Sequence, residues 1–392
     1  MAKENHSAIQ AVDIDLFAGA GGMAIGLKHA GFSPASFYEL DKRSCETLRH
    51  NVTSKSATLL GTVFEGKAEE IAWSALKREV RLLAAGAPCQ PFSLGGKHLA
   101  ERDGRNLFPE VFRALRELRP FAVFLENVRG LARESFRPYF EYILRQLQCP
   151  SVAPHHGELW RDHDARIRRY QLSVAFNPEY HVDFRLVDAA DFGAPQSRKR
   201  VFIVATRFDF PAYEFPKPTH GQGELLRIQK SGEYWERHGI RKPKAFEVDE
   251  KGVGERNGFL PWRTVRDALK GLPEPSETEE TAWMNHWRIP GARRYSGHTG
   301  SALDWPAKTI KAGVHGVPGG ENTVIEDDGT FRYFTLRETA KLQTFPDSHF
   351  FDGARIHVTR QIGNAVPCLV ADVLAQPLFR TIQQELIRRT QS

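Results

Sequence analysis

Short apolar runs alternate along the first half of the chain with segments whose apolar residues recur at helical spacing. The clearest runs are Val80 to Ala85, Ala122 to Leu125 and Val201 to Ala205, and such runs predict strands buried on both faces. Between the first two, Leu107 to Arg119 has one apolar face and is followed by a proline, which predicts an amphipathic helix. This alternation predicts an α/β fold built around a mostly parallel sheet.

Further segments fit the same scheme. Asp13 to Ala30 predicts a strand, a glycine-rich turn and a helix, Val182 to Val187 predicts a strand, and Arg137 to Gln148 predicts a helix. Thr335 to Gln343 predicts a helix with a capping box, because its Thr is followed by a Glu at the spacing that such a box requires. The chain closes with an amphipathic helix, whereas the polar stretch Cys149 to Asn177 has no pattern that assigns it an element.

The residues from Phe208 to about Thr330 have a different character, with many Pro, Gly and Trp residues and few periodic runs. We expect a second, loop-rich domain here. Its acidic and basic residues are about equal in number, so contacts with nucleic acid would be local. The candidates are Arg293, Arg294, Lys308, Lys311 and His315, for which ordinary loop charge is an equally good explanation.

Composition narrows the class of protein. Of the 392 residues 41% are apolar, which is enough for a packed core. No uncharged apolar run reaches about 18 residues and the first ten residues contain no secretory apolar region, so we expect neither membrane insertion nor export, and a cytoplasmic location. The net charge of +6 is compatible with a polyanionic partner but does not require one.

The cysteine and histidine patterns argue against a metal centre. The four cysteines, Cys45, Cys89, Cys149 and Cys368, are far apart in sequence, which predicts reduced thiols rather than a zinc site or a disulfide framework. Three histidines, His155, His156 and His163, have no convincing ligand spacing. We expect them to be solvated loop residues.

Residues suited to chemistry follow several of the predicted strands. Cys89 comes just after the run that ends at Ala85, Glu39 ends a strand about 20 residues after Gly19, and Glu126 directly follows the run that ends at Leu125. Open α/β sheets bind their ligands at the carboxyl ends of their strands. Each residue alone is explained by an ordinary turn or surface position, but their combination favours a nucleoside ligand beside a nucleophile. The glycine turn lacks dinucleotide spacing, so an adenosyl group fits better than a dinucleotide.

Two arginines enter another predicted strand. Arg198 and Arg200 occupy alternate positions, and alternate side chains of a strand point to the same side. They therefore predict a pair directed at one anionic or carbonyl-rich target, with a solvated edge as the alternative.

Six short signatures occur along the chain in one order. They are Asp15-Leu16-Phe17-Ala18-Gly19 with Gly21-Gly22, Pro88-Cys89-Gln90, Glu126-Asn127-Val128, Gln196-x-Arg198-x-Arg200, Arg337-Glu338 with Leu342-Gln343-x-Phe345-Pro346, and Gly363-Asn364-Ala365-Val366-Pro367. In this order they resemble the DNA (cytosine-5)-methyltransferase family. The resemblance spans roughly residues 13 to 372 apart from variable parts.

The resemblance implies a class I S-adenosylmethionine-dependent methyltransferase fold, which is Rossmann-like with a seven-stranded sheet. The catalytic domain would comprise residues 1–207 and 359–392, and a smaller target-recognition domain would comprise residues 208–358. A segment that returns to the first domain would explain why Gly363 to Pro367 resembles part of a site although it lies far along the chain.

The resemblance also implies roles for individual residues. The family's catalytic positions match Cys89, Glu126, Asn127, Arg198 and Arg200. Its cofactor positions match Phe17, Gly19, Ala20, Gly21, Gly22, Glu39, Leu40, Pro88, Leu107, Asn364 and Val366. DNA contacts would come from Gln90, Ser93, Gly95, Lys97 and Arg105, which lie in or beside a lid from Leu94 to Asn106, besides the loop residues named above.

The implied chemistry assigns a role to each catalytic group. Cys89 would add to C6 of a cytosine flipped out of double-stranded DNA, and Glu126 would donate to N3 while C5 takes the methyl group from S-adenosylmethionine. Asn127 would fix the base, and the two arginines would pair with O2, a nearby phosphate or Glu126. The family usually has an Asp where this chain has Lys67, so the group that holds the adenine amine stays open.

The resemblance implies a modification methyltransferase that works without metal or membrane, with a cognate restriction endonuclease acting separately. A monomer suffices for this chemistry, and DNA would bring the protein to the nucleoid. Two alternatives stay open: the tRNA branch of the same fold and a catalytically silent DNA-binding relative. The tRNA branch typically carries a Cys-Phe-Thr signature that is absent here, and a silent relative would have lost Cys89 or Glu126.

Overall fold

The computed structural model describes residues 11–88, 106–243, 258–278, 283–294, 299–313 and 322–391. These residues form two compact units, each built from separate stretches of chain. The first unit draws on Met1–Leu186, Arg200–Phe215 and Leu374–Ser392, and the second on Val187–Lys199 and Pro216–Val373. The assignment of catalysis to residues 1–207 and 359–392, and of target recognition to residues 208–358, stays a prediction.

A seven-stranded sheet organises the first unit. Its strands are β1 (Val12–Leu16), β2 (Pro34–Glu39), β3 (Thr62–Glu65), β4 (Val80–Ala85), β5 (Ala122–Val128), β6 (Tyr180–Asp188) and β7 (Lys199–Arg207). Their order is β3-β2-β1-β4-β5-β7-β6. The pairs from β3 to β5 are parallel, and β7 is antiparallel to β5. The predicted Rossmann-like α/β fold is therefore confirmed.

Helices flank this sheet. They are α1 (Gly22–His29), α2 (Lys42–Thr53), α3 (Phe108–Leu118), α4 (Arg137–Gln148), α5 (Trp160–Gln171) and the closing helix, α11 (Cys368–Gln391). Short 3-10 turns occupy Ala68–Glu70, Trp73–Ala75, Arg129–Ala132, Glu134–Phe136 and Ala189–Phe192. Near the end of the chain, Phe379 of α11 packs edge-on against Phe32, with ring centroids 5.1 Å apart.

The core of the first unit lies between the sheet and these helices. Leu83, Val123 and Ile203 of three neighbouring strands are fully or almost fully buried, and they belong to one apolar cluster with Leu115 of α3 and Ile143 of α4. Strands covered in this way carry apolar residues on both faces, which is why the runs were recognisable in the sequence.

The second unit is mostly short elements. Its helices are α6 (Gln222–Ser231), α7 (Glu233–His238), α8 (Val265–Leu269), α9 (Leu336–Leu342) and α10 (Arg355–Asn364). Its strands are β8 (His220–Gly221) and β9 (Leu260–Pro261), which form a pair, and β10 (Ser301–Ala302), β11 (Thr323–Ile325) and β12 (Phe331–Tyr333), which form a three-stranded sheet. The predicted capping box is present at α9, where the side chains of Thr335 and Glu338 each accept a hydrogen bond from the other's backbone N–H.

Two sequence expectations need correction. His163 is not a solvated loop residue, because it is buried in α5, where its ring bonds to the Tyr142 hydroxyl and the Val152 carbonyl. Glu126 does not follow a strand but lies within β5, since pairing with β7 continues the strand through Val128. His155 and His156 are exposed, as expected.

The carboxyl-terminal region contains a helical stretch of notable length. Among the described residues, Arg355–Gln391 is long enough and apolar enough in composition to cross a membrane. However, 56% of its apolar 18-residue segment is buried inside the protein. A core helix of a soluble protein passes the same test, so the finding is weak evidence for a membrane span.

Candidate active site

Strand register aligns the predicted site residues of the first unit at one edge of the sheet. A row of paired residues crosses four strands and consists of Tyr38, Leu16, Ala85 and Leu125. The residues that directly follow this row are Glu39, Phe17, Gly86 and Glu126. Crossing from Glu39 to Glu126 takes three strand spacings, about 14 Å. This row lies where β1 and β4 meet and the chain order reverses, which is where such sheets bind ligands.

The turn after β1 is held tightly against β2. The N–H groups of Phe17 and Ala18 both donate to the Tyr38 carbonyl, at 2.9 and 3.2 Å. Phe17 adopts φ 61° and Gly19 φ 54°, a left-handed region that favours glycine. A Cβ at Gly19 would meet no atom within 4 Å, so space lies open on that side of the backbone.

Glu39 anchors this turn from the end of β2. Its Oε2 accepts the Gly19 N–H at 2.8 Å, and its Oε1 accepts the N–H groups of Leu40 and Asp41, also at 2.8 Å. Burial raises the pKa of Glu39, and the three N–H groups partly oppose that change. Each carboxylate oxygen can accept more than one hydrogen bond, so this anchoring leaves acceptor capacity for a ribose.

Asp15, in β1, is a candidate that the sequence reasoning did not single out. It is completely buried, and neither of its carboxylate oxygens has a hydrogen-bond partner among the residues that the structure describes. Burial, with a further contribution from the charge of Glu39, raises its pKa to about 8. A buried carboxyl without a partner is costly, which marks the position as a place where a ligand could supply one. Its sequence signal was an acid inside a buried strand, although Asp13 of the same strand is also an acid and pairs with Arg81.

The turn after β4 approaches the turn after β1. A Cβ at Gly86 would lie 3.9 Å from the Phe17 carbonyl oxygen. The buried Asn127 side chain donates to the Ala87 carbonyl at 3.1 Å, which ties the end of β5 to this turn. Pro88 is the last described residue here, so Cys89 lies outside the described residues, directly beyond this turn.

Glu126 and Arg200 form a buried ion pair across β5 and β7. Arg200 Nε lies 3.0 Å from Glu126 Oε1, and both side chains are at least five-sixths buried. Burial lowers the pKa of Arg200, and the charge of Glu126 partly restores it. The pair thus holds a carboxylate at the same edge of the sheet as the glycine turn.

The three cysteines among the described residues are poor candidates for a nucleophile. All three, Cys45, Cys149 and Cys368, are buried and form no disulfide. Burial raises the thiol pKa to about 12 in Cys45 and about 11 in Cys149, and raises it in Cys368 as well. A thiol that resists ionisation is a weak nucleophile, which leaves Cys89 as the candidate.

Other predicted cofactor positions lie around this edge. Ala20, Gly21 and Gly22 are buried at the start of α1, whereas Leu40 is 61% exposed and Leu107 is half-buried before α3. Lys67 is exposed, and its Nζ lies 3.9 Å from Glu70 Oε1. This contact does not identify the group that holds the adenine amine.

The remaining predicted cofactor and catalytic residues belong to the second unit. Asn364 is exposed at the end of α10, and Val366 is buried two residues later. Arg198 is 2% exposed, and its guanidinium donates to the carbonyls of Ile310, Gly363 and Ala365. Its described partners are therefore backbone carbonyls rather than an anionic group.

The predicted DNA-contacting residues are only partly described. Arg293 is exposed, and Arg294 lies over the Phe331 ring and donates to the Gly329 carbonyl. Lys308 donates to the Thr299 hydroxyl at 2.7 Å, and Lys311 is half-buried. The others lie outside the described residues: Gln90, Ser93, Gly95, Lys97, Arg105 and His315.

A cleft of about 610 Å³ lies at the opposite, amino edge of the sheet. Among the residues that line it, Arg207 pairs with Asp209 through two hydrogen bonds and covers the Phe121 ring. The charges of Arg207 and Asp209 are therefore already paired with each other.

Comparison with known proteins identifies the family. The family described as C-5 cytosine-specific DNA methylase matches residues 12–149 and 171–380. The chain belongs to this family. Family membership makes it a DNA cytosine-5 methyltransferase and accounts for the order of the six signatures.

Curated relatives of this methyltransferase match almost the whole chain. It is 29% identical to the Type II methyltransferase M.NgoMIV of Neisseria gonorrhoeae, over 96% of this chain and 100% of that one. It is 33% identical to M.NaeI of Lentzea aerocolonigenes, over 95% of this chain and 75% of that one.

Solved structures share the fold of the methyltransferase at lower identity. The Entamoeba histolytica methyltransferase EhMeth matches with a TM-score of 0.57 and 16% identity, covering 95% of this chain and 98% of that one. The S. pombe Dnmt2 methyltransferase matches with a TM-score of 0.55 and 16% identity, covering 94% and 99%. At these identities the likeness concerns the fold alone.

Proposed function

We propose that this methyltransferase is the modification enzyme of a Type II restriction-modification system and methylates C5 of cytosine within a specific site in double-stranded DNA. The relatives named as Type II methyltransferases support DNA over tRNA as the substrate. In this proposal the enzyme acts in the cytoplasm as a monomer, and a restriction endonuclease that reads the same site acts separately.

The observation that carries the proposal is the paired row of Tyr38, Leu16, Ala85 and Leu125, because it brings the residues that follow it to the carboxyl edge of the sheet. These residues are Glu39, Phe17, Gly86 and Glu126. This arrangement brings a glycine turn suited to a nucleoside within about 14 Å of a buried carboxylate. That spacing suits a cofactor over β1 and β2 and a pyrimidine over β4 and β5, with the methyl group between them.

The residues present fit S-adenosylmethionine, which supplies an electrophilic methyl group. The open side of Gly19 would admit the ligand to the backbone, and Glu39 would accept from the ribose hydroxyls. The partnerless carboxyl of Asp15 would face the cationic amino acid end of the cofactor. Phe17, Pro88, Asn364 and Val366 would complete the pocket, as the family resemblance implies.

Cys89 is the nucleophile in this proposal. Its thiolate bonds to C6 of the cytosine, and the electron pair of the C5–C6 double bond moves toward N3, where Glu126 donates a proton. The resulting enamine carbon C5 would take the methyl group from the sulfonium, whose carbon–sulfur bond breaks so that S-adenosylhomocysteine leaves. Loss of the C5 proton to a base then expels the Cys89 thiolate and restores the C5–C6 double bond, and N3 returns its proton to Glu126.

During this reaction Arg200 holds Glu126 in place, and Glu126 and Asn127 hold the base. Arg200 fixes the carboxyl of Glu126 from β7, while Asn127 ties β5 to the turn that precedes Cys89. The thiolate must reach the face of the ring, so the cytosine has to leave the duplex. The resemblance implies a lid from Leu94 to Asn106, and all of this segment except Asn106 lies outside the described residues.

The experiment that tests this proposal detects both the methylated product and the covalent intermediate. Bisulfite sequencing of DNA from cells that express the chain should reveal 5-methylcytosine at one recurring site. A duplex with 5-fluorocytosine at that site should then trap the wild-type protein covalently, because the fluorine blocks the loss of a C5 proton.

A pair of cysteine variants controls for the nucleophile. Cys89→Ser should abolish both methylation and trapping, whereas Cys149→Ser should retain both, because Cys149 is buried away from the sheet edge. Trapping that persists in Cys89→Ser would refute the assigned nucleophile. Absence of 5-methylcytosine with wild type would refute the proposed reaction.

A further inference from the structure

A buried polar network lies within the second unit. The stretch Pro195 to Arg198 runs alongside Ala307 to Ile310: the Ser197 N–H donates to the Ala307 carbonyl at 2.9 Å, and the Ala307 N–H donates to the Pro195 carbonyl at 2.9 Å. These bonds set two segments that are more than a hundred residues apart in sequence side by side.

Gln196 connects this pair of segments to the end of α9. Its Oε1 accepts the Ile310 N–H at 2.8 Å, while its Nε2 donates to Gln343 Oε1 at 3.0 Å and to the Leu342 carbonyl at 3.2 Å. Gln196 is completely buried, so each of these bonds replaces one that water would otherwise make.

Arg198 connects the same segment to the turn Ile362 to Ala365, which is the carboxyl end of α10 and the residue after it. One terminal nitrogen donates to the Ile310 carbonyl at 2.9 Å, and the other donates to the carbonyls of Gly363 and Ala365 at 2.9 and 3.1 Å. Gln196 and Arg198 therefore bind both the N–H and the carbonyl of Ile310.

Gln343 closes the network on the other side. Its Nε2 donates to the carbonyls of Ile362 and Ala365, at 2.6 and 3.2 Å. The turn also touches the neighbouring segment directly, because a Cβ at Gly363 would overlap the backbone of Lys311 and Ala312. The turn from Ile362 to Ala365 is thus fixed to residues 310–312 by side chains and by close backbone contact.

We propose that Gln196, Arg198 and Gln343 are positioning residues that couple DNA binding at residues 308–311 to cofactor binding at the turn that carries Asn364. This inference rests on the proposed function, which places Asn364 at the cofactor, and on the sequence prediction that Lys308 and Lys311 contact the DNA. A shift of either segment leaves buried donors and acceptors unpaired, so the two segments are held as one body. A ligand that orders one segment thereby orders the other.

The test measures the affinity for S-adenosylhomocysteine by titration calorimetry, without DNA and with a saturating duplex that carries the site found by bisulfite sequencing. For wild type we expect the duplex to tighten binding by about fivefold or more. Gln343→Met keeps the size of the side chain but loses its hydrogen bonds, and Arg198→Lys keeps the charge but cannot bridge three carbonyls. Both variants should bring the ratio of the two dissociation constants to within about twofold of one.

Gln229→Met is the matched control. Gln229 is a buried glutamine of the same unit whose Nε2 donates to the Asp304 carbonyl, and within the described part of the chain no hydrogen bond joins its side chain to the network. This variant should retain the wild-type ratio. A purely structural role would reduce the fraction of folded protein, which changes the titration stoichiometry but not the ratio.

The possible results distinguish failure of the proposed coupling from failure of the proposed function. Variants that fold and keep the wild-type ratio overturn the coupling, as does a wild-type ratio of one in an enzyme that methylates DNA. If wild type neither binds S-adenosylhomocysteine nor methylates DNA, the proposed function falls and the coupling falls with it. As a second measurement, the factor by which S-adenosylhomocysteine tightens DNA binding must equal the first ratio, because binding linkage is reciprocal.

Discussion

Arg200 and Arg198 are two residues apart in sequence, and both are mostly buried, but they have different partners. In the first unit Arg200 pairs with a carboxylate, Glu126, at the edge of the sheet. In the second unit Arg198 donates to three backbone carbonyls. An arginine bound to a carboxylate can tune an acid that reacts, whereas one bound to carbonyls can only hold backbone in place. The same residue type in one signature therefore supports chemistry in one unit and architecture in the other.

Replacing Glu126 should produce the largest effect. Glu126→Gln keeps the shape but removes the acid, and loss of a positioned general acid costs a factor of about 10² to 10⁴ in rate. We expect the rate of tritiated methyl transfer to DNA to fall by at least about a hundredfold, with S-adenosylhomocysteine affinity unchanged. A variant that retained wild-type rates would show that Glu126 is not the acid.

A direct comparison of the two arginines comes next. Arg198→Met removes the donor to the Ile310 and Gly363 carbonyls, at about 1 kcal/mol or more each, while Ala365 keeps its bond from Gln343, so the free energy of unfolding should fall by about 2 kcal/mol or more. Arg200→Met removes the partner of Glu126, so methyl transfer should fall while cofactor binding persists. Urea unfolding and S-adenosylhomocysteine titration of both variants measure the difference. Identical profiles for the two would contradict the division of roles.

The close contact at Gly363 provides a test of packing in the second unit. Gly363→Ala forces a methyl group into the backbone of residues 311–312, and overpacking of this kind costs about 1 to 3 kcal/mol. Gly66→Ala is the matched control, because a Cβ there would meet no atom within 4 Å. Thermal unfolding should show a lower midpoint for the first variant only.

Asp15 provides a prediction that depends on pH. Its pKa is raised from 3.8 to about 8 by burial and by Glu39, so between these values the folded state keeps a proton that the unfolded state has lost. Stability must then fall as the pH rises through this window and level off above it. Asp15→Asn removes the penalty and should stabilise the ligand-free protein at pH 8 by about 1 kcal/mol or more. Denaturant melts at several pH values would reveal the loss of slope, and an unchanged slope would show that Asp15 does not titrate in this range.

The sequence predicted the elements that depend on local pattern. The run from Val80 to Ala85 coincides with β4, Arg137 to Gln148 coincides with α4, and the capping box at Thr335 is present. Apolar runs and helix caps act over a few residues, so they can be recognised without tertiary information.

Features that depend on distant contacts escaped the sequence. Arg198 meets Gly363 across 165 positions of sequence and Gln196 meets Gln343 across 147, and no local pattern indicates such partners. The residues around His163 have the composition of a loop, but the side chain is buried because it packs against Tyr142. Asp15 is different, because an acid inside a buried strand could be recognised in the sequence.

The closing helix has a consequence for biosynthesis. Phe379 of α11 packs on Phe32 and against Gly31, and the Tyr213 hydroxyl donates to the Leu374 carbonyl. The first unit therefore lacks one of its walls until Leu374 and Phe379 have been synthesised. Until then its sheet cannot acquire its full packing, and the nascent chain exposes apolar surface of the kind that makes partly folded chains prone to aggregation.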